Sequence, residues 1–391
     1  MPPPTPAPPR PARAALALLV HRSLRGRPMR SALAIAGVAT STLLVLVLLA
    51  AMRSPILAIS SYVSQPGVHL WVGPEGTDNL VRTSGFLPSS IVGEMRAIPG
   101  VAAADPLVRV FVRVTPQHGA NPGHEPYLMQ LAIGYRVPDG LGGPPHIVAG
   151  RAPRGESEIA LDRAAAFRLG AARGDTLLVN GRAAALVGIT EKTNVLATQL
   201  MFFDVALAEN STGLSRQVSL VALRLERASD SVAVARRIAE DYPWLAVLPP
   251  DQFLRNNVRE TAAGVVPLLT LIAALGALAA GVLVALLMQG LVEDRRTDIA
   301  VLMAMGTGTG IVAAAFVLHA AVLAIIGGAL GDLLSRLLAL ALDRYLPTVQ
   351  LVYVPSDVTM VLLVVTLASV AGAVVPLARL RRIDPLEAFR A

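Results

Sequence analysis

The sequence predicts an α-helical integral membrane protein with four transmembrane helices in a 1 + 3 arrangement, plus a mixed α+β extracytoplasmic domain. Three observations predict it. The chain of 391 residues is 54% hydrophobic but only 16% charged, a balance too apolar for an ordinary soluble domain. Four uncharged runs, 31–52, 261–292, 299–331 and 358–378, each reach the ~20 apolar residues needed to cross a bilayer. Between the first and second runs lies a segment of ordinary polarity, 53–260, about half the chain.

The elements follow in order. Residues 1–13, "MPPPTPAPPRPAR", read as a disordered proline-rich tail. Residues 14–30 read as a basic amphipathic helix leading in at the cytoplasmic membrane surface. The first span, 31–52, is longer than the apolar core of a signal peptide, which favours an uncleaved anchor. The run 261–292 exceeds one span, so it is expected to combine the second span with a stalk, with Pro267 as a place for a kink. A short helix over 293–306 and a third span over 308–331 follow, then an external loop at 332–357, a fourth span at 358–378 and a cytoplasmic tail at 379–391.

The formal charge of +7 would suit a nucleic-acid ligand, but its location argues otherwise. Residues 1–30 carry six arginines and no acid, whereas 53–260 holds 20 basic and 19 acidic residues. An arginine cluster beside an apolar span is a topology signal, so no nucleic acid is expected. Arg295 and Arg296 in the 293–298 loop, and Arg379, Arg381, Arg382 and Arg390 in the tail, fall on the same side in a four-span layout. Both termini are then cytoplasmic and 53–260 lies outside.

Within 53–260, alternation over Leu107 to Val114 marks a strand, and Asn180-Gly181 inside "LLVNGRAAALVGI" is a hairpin signal. Helix patterns occupy 88–98 and 229–242, the latter between apolar strands at 217–225 and 244–248 in a βαβ-like unit. A second, β-rich sublobe is expected around 145–205.

No cysteine is present, which excludes disulfides, zinc–thiolate sites and cysteine nucleophiles. No catalytic, metal or cofactor constellation stands out; His118, His124 and Glu125 flank a Gly/Pro loop that reads as an exposed turn. Lone His319 in the third span reads as a structural hydrogen-bonding group. The glycines at 306, 308 and 310 suggest a phosphate cradle, but the single lysine, Lys192, is far away and no strand precedes them, so both nucleotide motifs fail. Gly327 and Gly331 have the spacing of close helix approach, expected within one protomer. The stretch "EDRRTDIAVLMAMGTGTG" instead joins a charged helix end to apolar Ile299, Val301, Leu302 and Met305, a surface suited to docking in a partner's groove.

That stretch resembles the motif joining the second and third spans of FtsX/MacB-type ABC transporter permeases, E-R-R-x-E-I-G-x-L-x-A-L-G-A. The matching residues are Glu293, Arg295, Arg296, Asp298 in place of Glu, Ile299, Leu302, Ala304 and Gly306. "RSALAIAGVATS", 30–41, is similar to the family's approach to span one. "VPLARLRRIDPLEAFRA", 375–391, is similar to its closing motif through Pro376, Ala378, Arg379, Asp384, Pro385, Glu387, Ala388 and Arg390. Outside, "GRAPRGESEIAL" followed by "LGAARGDT" resembles the MacB-type external domain. The chain departs from the family at "TGTG", where a serine and a basic residue usually follow.

The resemblance implies a permease subunit of the bacterial plasma membrane that is not itself an enzyme. It implies a dimer, homo- or heteromeric, each protomer bound to a separate cytoplasmic ABC ATPase that carries the ATP and Mg, with no cofactor in this chain. Membrane lipid surrounds it, and an extracytoplasmic adaptor or substrate-carrying protein is a further expected partner. Glu293, Arg295, Arg296, Asp298, Ile299, Leu302 and Gly306 would couple to the ATPase, passing its closure to the external domain for export or extraction. Two alternatives stand beside this: a transmembrane regulator of an external cell-wall hydrolase, and a solute importer subunit.

Overall fold

The computed structural model describes residues 28–80, 85–119, 123–195, 198–294, 299, 301, 308–346 and 348–380, with backbone alone at 28, 30, 260–262, 264–266, 269 and 375–380. The tail and lead-in segment at 1–27 and most of the closing motif lie outside the described residues. The chain divides into two compact units: a helical one within 1–50, 267–340 and 353–391, and an α+β one at 51–266 and 341–352.

Four helices are long and apolar enough to cross a bilayer: Ser31–Val63, Thr270–Asp294, Thr309–Tyr345 and Pro355–Val374. They belong to helices α1 (Pro28–Val63), α6 (Pro250–Asp294), α7 (Thr309–Tyr345) and α8 (Pro355–Leu380). The expected charge-free runs set where these helices are apolar but not where they end. α1 continues through Arg53 and Pro55 to Val63, and α7 runs on to Tyr345, replacing much of the expected loop at 332–357. A helix ends where its backbone loses partners, and a single charge does not remove one. α6 passes Pro267 as one helix, so the expected stalk and span are continuous.

The helical unit closes around Val38, Val45, Leu46, Ala280, Val284, Met288, Leu323, Val361 and Val365. Small residues let the backbones meet. A Cβ on Gly327 would sit 2.7 Å from the Cβ of Val38, and one on Gly331 would sit 2.6 Å from the carbonyl oxygen of Ala39. The Gly327/Gly331 pair thus packs α7 on α1 inside one protomer.

The α+β unit starts from a β-α-β-β-α-β core. Strand β1 (Leu70–Pro74), helix α2 (Ile91–Ala97) and strand β3 (Val101–Pro116) form one half; β12 (Leu220–Leu225), helix α5 (Ser231–Asp241) and β13 (Leu245–Leu248) form the other. The order β13-β1-β12-β3 interlocks them, each inner neighbour antiparallel, which is the ferredoxin-like arrangement. The expected βαβ-like unit is therefore split, with β1 inserted between its two strands. Helices α2 and α5 cover one face through Ile91, Met95, Val234 and Ile238.

An insertion between β3 and β12 adds β4 (Leu128–Tyr135), β5 (Ile147–Gly150), β6 (Glu158–Asp162), helix α3 (Arg163–Leu169), β7 (Thr176–Val179), β8 (Arg182–Thr190), β9 (Asn194–Val195), β10 (Thr198–Asp204) and helix α4 (Val205–Thr212). A short pair, β2 (Leu87–Pro88) with β11 (Gln217–Val218), stands apart. Asn180 and Gly181, with φ of 47° and 86°, make the expected β7–β8 turn.

The β-rich sublobe does not separate from the rest. β3 pairs β4, β4 pairs β10, β10 pairs β6, β6 pairs β8, β8 pairs β7, and β7 returns to β3, so six strands close into a barrel that borrows β3 from the main sheet. Its interior holds Val112, Val114, Ile159, Leu161, Leu177, Val179, Leu186, Met201 and Phe203. The 16 residues of β3 make this possible, the first half pairing β12 and the second half serving the barrel.

Candidate coupling site and the external clamp

Of the seven sequence-predicted coupling residues, Glu293 and Ile299 lie among the described residues; Arg295, Arg296, Asp298, Leu302 and Gly306 lie outside them. Glu293 is exposed in the last turn of α6, where its carboxylate accepts from Gln289 Nε2, one turn earlier, at 3.2 Å. Ile299 is 4% exposed and packs with Val292 and Val312, where α6 ends and α7 begins. Its side chain belongs to the protein's own interior. Val301 is 44% exposed and, among the described residues of the junction, carries apolar surface available to a partner. Of the closing motif, Arg379 lies on α8 with its backbone alone described, while Asp384, Pro385 and Glu387 lie outside the described residues.

The external unit grips the outer ends of α1 and α6 in a layer that the sequence did not single out. Ala58, Ile59, Tyr62 and Val63 of α1, and Phe253 of α6, pack against Trp71 of β1, Phe202 of β10, Leu107 and Leu131. Trp71 is fully buried, donates Nε1 to the Val63 carbonyl at 3.0 Å, and has its ring 5.8 Å from both Tyr62 and Phe253. Tyr62 donates its hydroxyl to the Gly142 carbonyl at 3.1 Å, and Asn257 Oδ1 of α6 accepts from the Leu80 amide at 2.8 Å. Aromatic rings with a satisfied polar tip pin both helices, since moving either would strand a buried donor. The available signal was scarcity: aromatics are 4% of the chain, yet Tyr62, Trp71 and Phe253 flank the first two spans.

The "GRAPRGESEI" motif resolves into a structural clasp. Gly150, at φ 79°, brings its Cα against the Val187 carbonyl, where a Cβ would collide. Arg151 then holds Glu158 through two bonds of 2.6 Å, and the Arg154 amide adds a third at 2.8 Å. These bonds, the Arg151 guanidinium first, hold the Glu158 carboxyl down to about 2. A carboxylate depressed on folding stabilises above its unfolded value, 4.5, and loses that contribution as pH falls towards about 2. Wild type is therefore expected to lose more stability than Glu158→Gln between pH 4.5 and 2, read by denaturant titration at each pH; parallel curves would remove the clasp.

Asp162 is buried at the start of α3, its Oδ1 accepting from the Ala164 amide at 2.8 Å and Oδ2 from the Thr193 hydroxyl at 2.5 Å. Burial raises its pKa against those bonds. Oδ1 caps the helix and Oδ2 ties it to Thr193, so the carboxylate has the partners of a structural group. Among the described residues no cluster of three or more His, Cys, Asp or Glu can hold a metal ion. His124 sits over Gly170 and Glu125 is paired with Arg168 at 2.9 Å; His118, His124 and Glu125 are exposed, as expected, and 120–122 lie outside the described residues.

Residues 270–385 match the family described as FtsX-like permease C-terminal. "Macrolide export ATP-binding/permease protein MacB" of Escherichia coli (strain K12) is 28% identical over 134 residues, 34% of this chain and 21% of that protein. The protein of the same description from Shigella flexneri matches to the same extent. The match thus spans about a fifth of the length of these curated relatives. The extracellular domain of the noncanonic ABC-type transporter YknZ from Gram-positive bacteria aligns with 46% of this chain and 98% of its own, at 13% identity and a TM-score of 0.34. The periplasmic region of MacB from Actinobacillus actinomycetemcomitans aligns with 49% and 96%, at 10% identity and 0.36. Overlaps this loose bear no weight, and the fold of the α+β unit rests on its own strand order. With four apolar helices and a mixed α+β unit, and with its last three spans similar to the FtsX-like permease C-terminal family, the chain is a multi-pass membrane protein with an extracytoplasmic domain.

Proposed function

We propose that the chain is the permease subunit of an ABC transporter. It works as a dimer, and a separate cytoplasmic ATPase, holding ATP and Mg, drives its external domain for export or extraction of a substrate. The observation that carries this reading is the continuity of α1 and α6. They are single helices of 36 and 45 residues, each apolar for a bilayer's width and each pinned at its outer end in the aromatic layer around Trp71. At ~1.5 Å per residue they run about 54 and 67 Å, well beyond a hydrocarbon core of about 30 Å. An unbroken helix with one end clamped can pass a displacement where a jointed one would absorb it.

The arginine asymmetry supports both termini on the cytoplasmic side, which puts the α6–α7 junction within reach of the ATPase. There Arg295 and Arg296 would meet acidic groups and Val301 would enter a groove. Val301→Asp is expected to cut transport-coupled ATP hydrolysis of the reconstituted complex by about tenfold or more, the cost of burying a charge, while leaving unfolding unchanged. Ile299→Asp is expected instead to unfold the junction. If Val301→Asp left coupled hydrolysis at the wild-type rate, this docking surface would be wrong.

A further inference from the structure

Where β4 and β10 begin, an open cleft of about 490 Å³ is lined by His124, Glu125, Phe167, Arg168, Asn194 and Gln199, with Leu346 and Thr348 on the far wall. Its size falls within the ~300–1,000 Å³ of small-molecule sites.

The walls are held. Glu125 makes two bonds to Arg168, at 2.9 and 3.1 Å, and its amide donates to the Arg168 carbonyl at 2.8 Å. The far wall follows Asp343, which pairs with Arg163, itself 3.1 Å from Glu191. Such bracing keeps a site open without ligand, so binding costs little reorganisation.

We propose that this cleft binds a neutral saccharide. Glu125 and Arg168 cancel each other's charge, which leaves nothing to select an ion. A purely apolar ligand would shed the water around six polar side chains and return no hydrogen bond, at a desolvation cost. Polyols match the mixture: their hydroxyls donate and accept to amide, guanidinium, carboxylate and imidazole groups, and their C–H faces lie on apolar rings. Phe167 and Leu346, 44% and 50% exposed, offer such surfaces.

The floor adds an independent argument. Gln199 is 5% exposed and its Oε1 has no partner among the described residues, while Nε2 reaches Asn194 Oδ1 only at 3.4 Å. Gln130 is fully buried, and among the described residues neither of its amide atoms has a hydrogen-bond partner. β10 and β4 run parallel with Leu200 opposite Leu131, so one step back the two glutamines are neighbours. By strand alternation Gln130 lies on the interior face shared by Leu128 and Ala132. Buried amides are normally satisfied; Gln130 lies behind the cleft wall, while Gln199 lines the cleft and on turning outward has capacity for a ligand's O–H or N–H groups. An N-acetylhexosamine supplies both.

The test uses the full chain in lipid nanodiscs, free of sugar detergents, with triacetylchitotriose, maltotriose and acetyl-leucinamide as probes in calorimetry and saturation-transfer NMR. Saturable binding of either saccharide is expected, weakened about fivefold or more by Phe167→Ala, as for a lost ring contact. Gln199→Ala is expected to weaken it similarly, with Phe86→Ala, an exposed ring elsewhere, having no effect. Thermal unfolding of Phe167→Ala should match wild type. Absence of saturable saccharide binding, binding of acetyl-leucinamide alone, or saccharide binding indifferent to Phe167→Ala would each overturn the proposal.

Discussion

Replacing Trp71 by alanine is expected to destabilise the external unit by about 3–5 kcal/mol, the range for emptying a large buried aromatic site. For a unit of this size that is roughly a 10 °C fall in midpoint. The ring is wholly buried and touches α1, β1 and α6 at once, so no single neighbour can collapse into the cavity without releasing another. Loss of Nε1 also leaves the Val63 carbonyl, at the last residue of α1, without its donor. Trp71→Phe separates the two effects: it keeps most of the packing and gives up the bond, at about 1 kcal/mol. Thermal melts of the purified chain followed by tryptophan emission will decide. The other tryptophan, Trp244, is 44% exposed, so the buried, blue-shifted part of the signal belongs to Trp71. For the alanine variant, which lacks that signal, circular dichroism follows the same melt. If Trp71→Ala melted with wild type, the layer would not be the anchor of α1 and α6, and the mechanical reading would lose its external grip.

The sequence made legible whatever is periodic or charge-free. Four apolar runs stand out because lipid tolerates nothing else, and the Asn180-Gly181 turn because both residues need positive φ. Alternation from Leu107 to Val114 marked β3, and the flanking helix patterns gave α2 and α5. The barrel was not legible. β10 reads "TQLMFFD", with Leu200, Met201, Phe202 and Phe203 all buried, because it faces a core on each side. Such a run carries no alternation and names no neighbours, so nothing in it says that it lies between β4 and β6. The coupling motif shows the opposite limit. Resemblance found Ile299, but spacing alone could not tell that it turns inward against Val292 and Val312, leaving Val301 outside.

Gly372→Leu is expected to cost the helical unit about 3 kcal/mol or more, beyond ordinary overpacking, because the obstruction is backbone. A Cβ at Gly372 on α8 would collide with the carbonyl oxygen of Gly281 on α6, and a Cβ at Gly281 would stand 2.8 Å from the carbonyl oxygen of Ala368. A side chain can change rotamer, but these carbonyls are fixed in helices, so α6 and α8 would have to part. Lipid gives no hydrophobic gain to offset that separation, since tails are as apolar as the interface they replace. The measurement is the folded fraction of the detergent-solubilised chain against temperature, with Gly308→Ala as companion. Among the described residues nothing lies within 4 Å of a Cβ on Gly308, so this variant should melt as wild type. Equal stability of Gly372→Leu and Gly308→Ala would sink the distinction. Their expected difference separates two uses of glycine in this chain: at 281 and 372 the missing side chain lets two helices touch, and at 308, the middle glycine of the run after the coupling segment, it meets no such neighbour among the described residues.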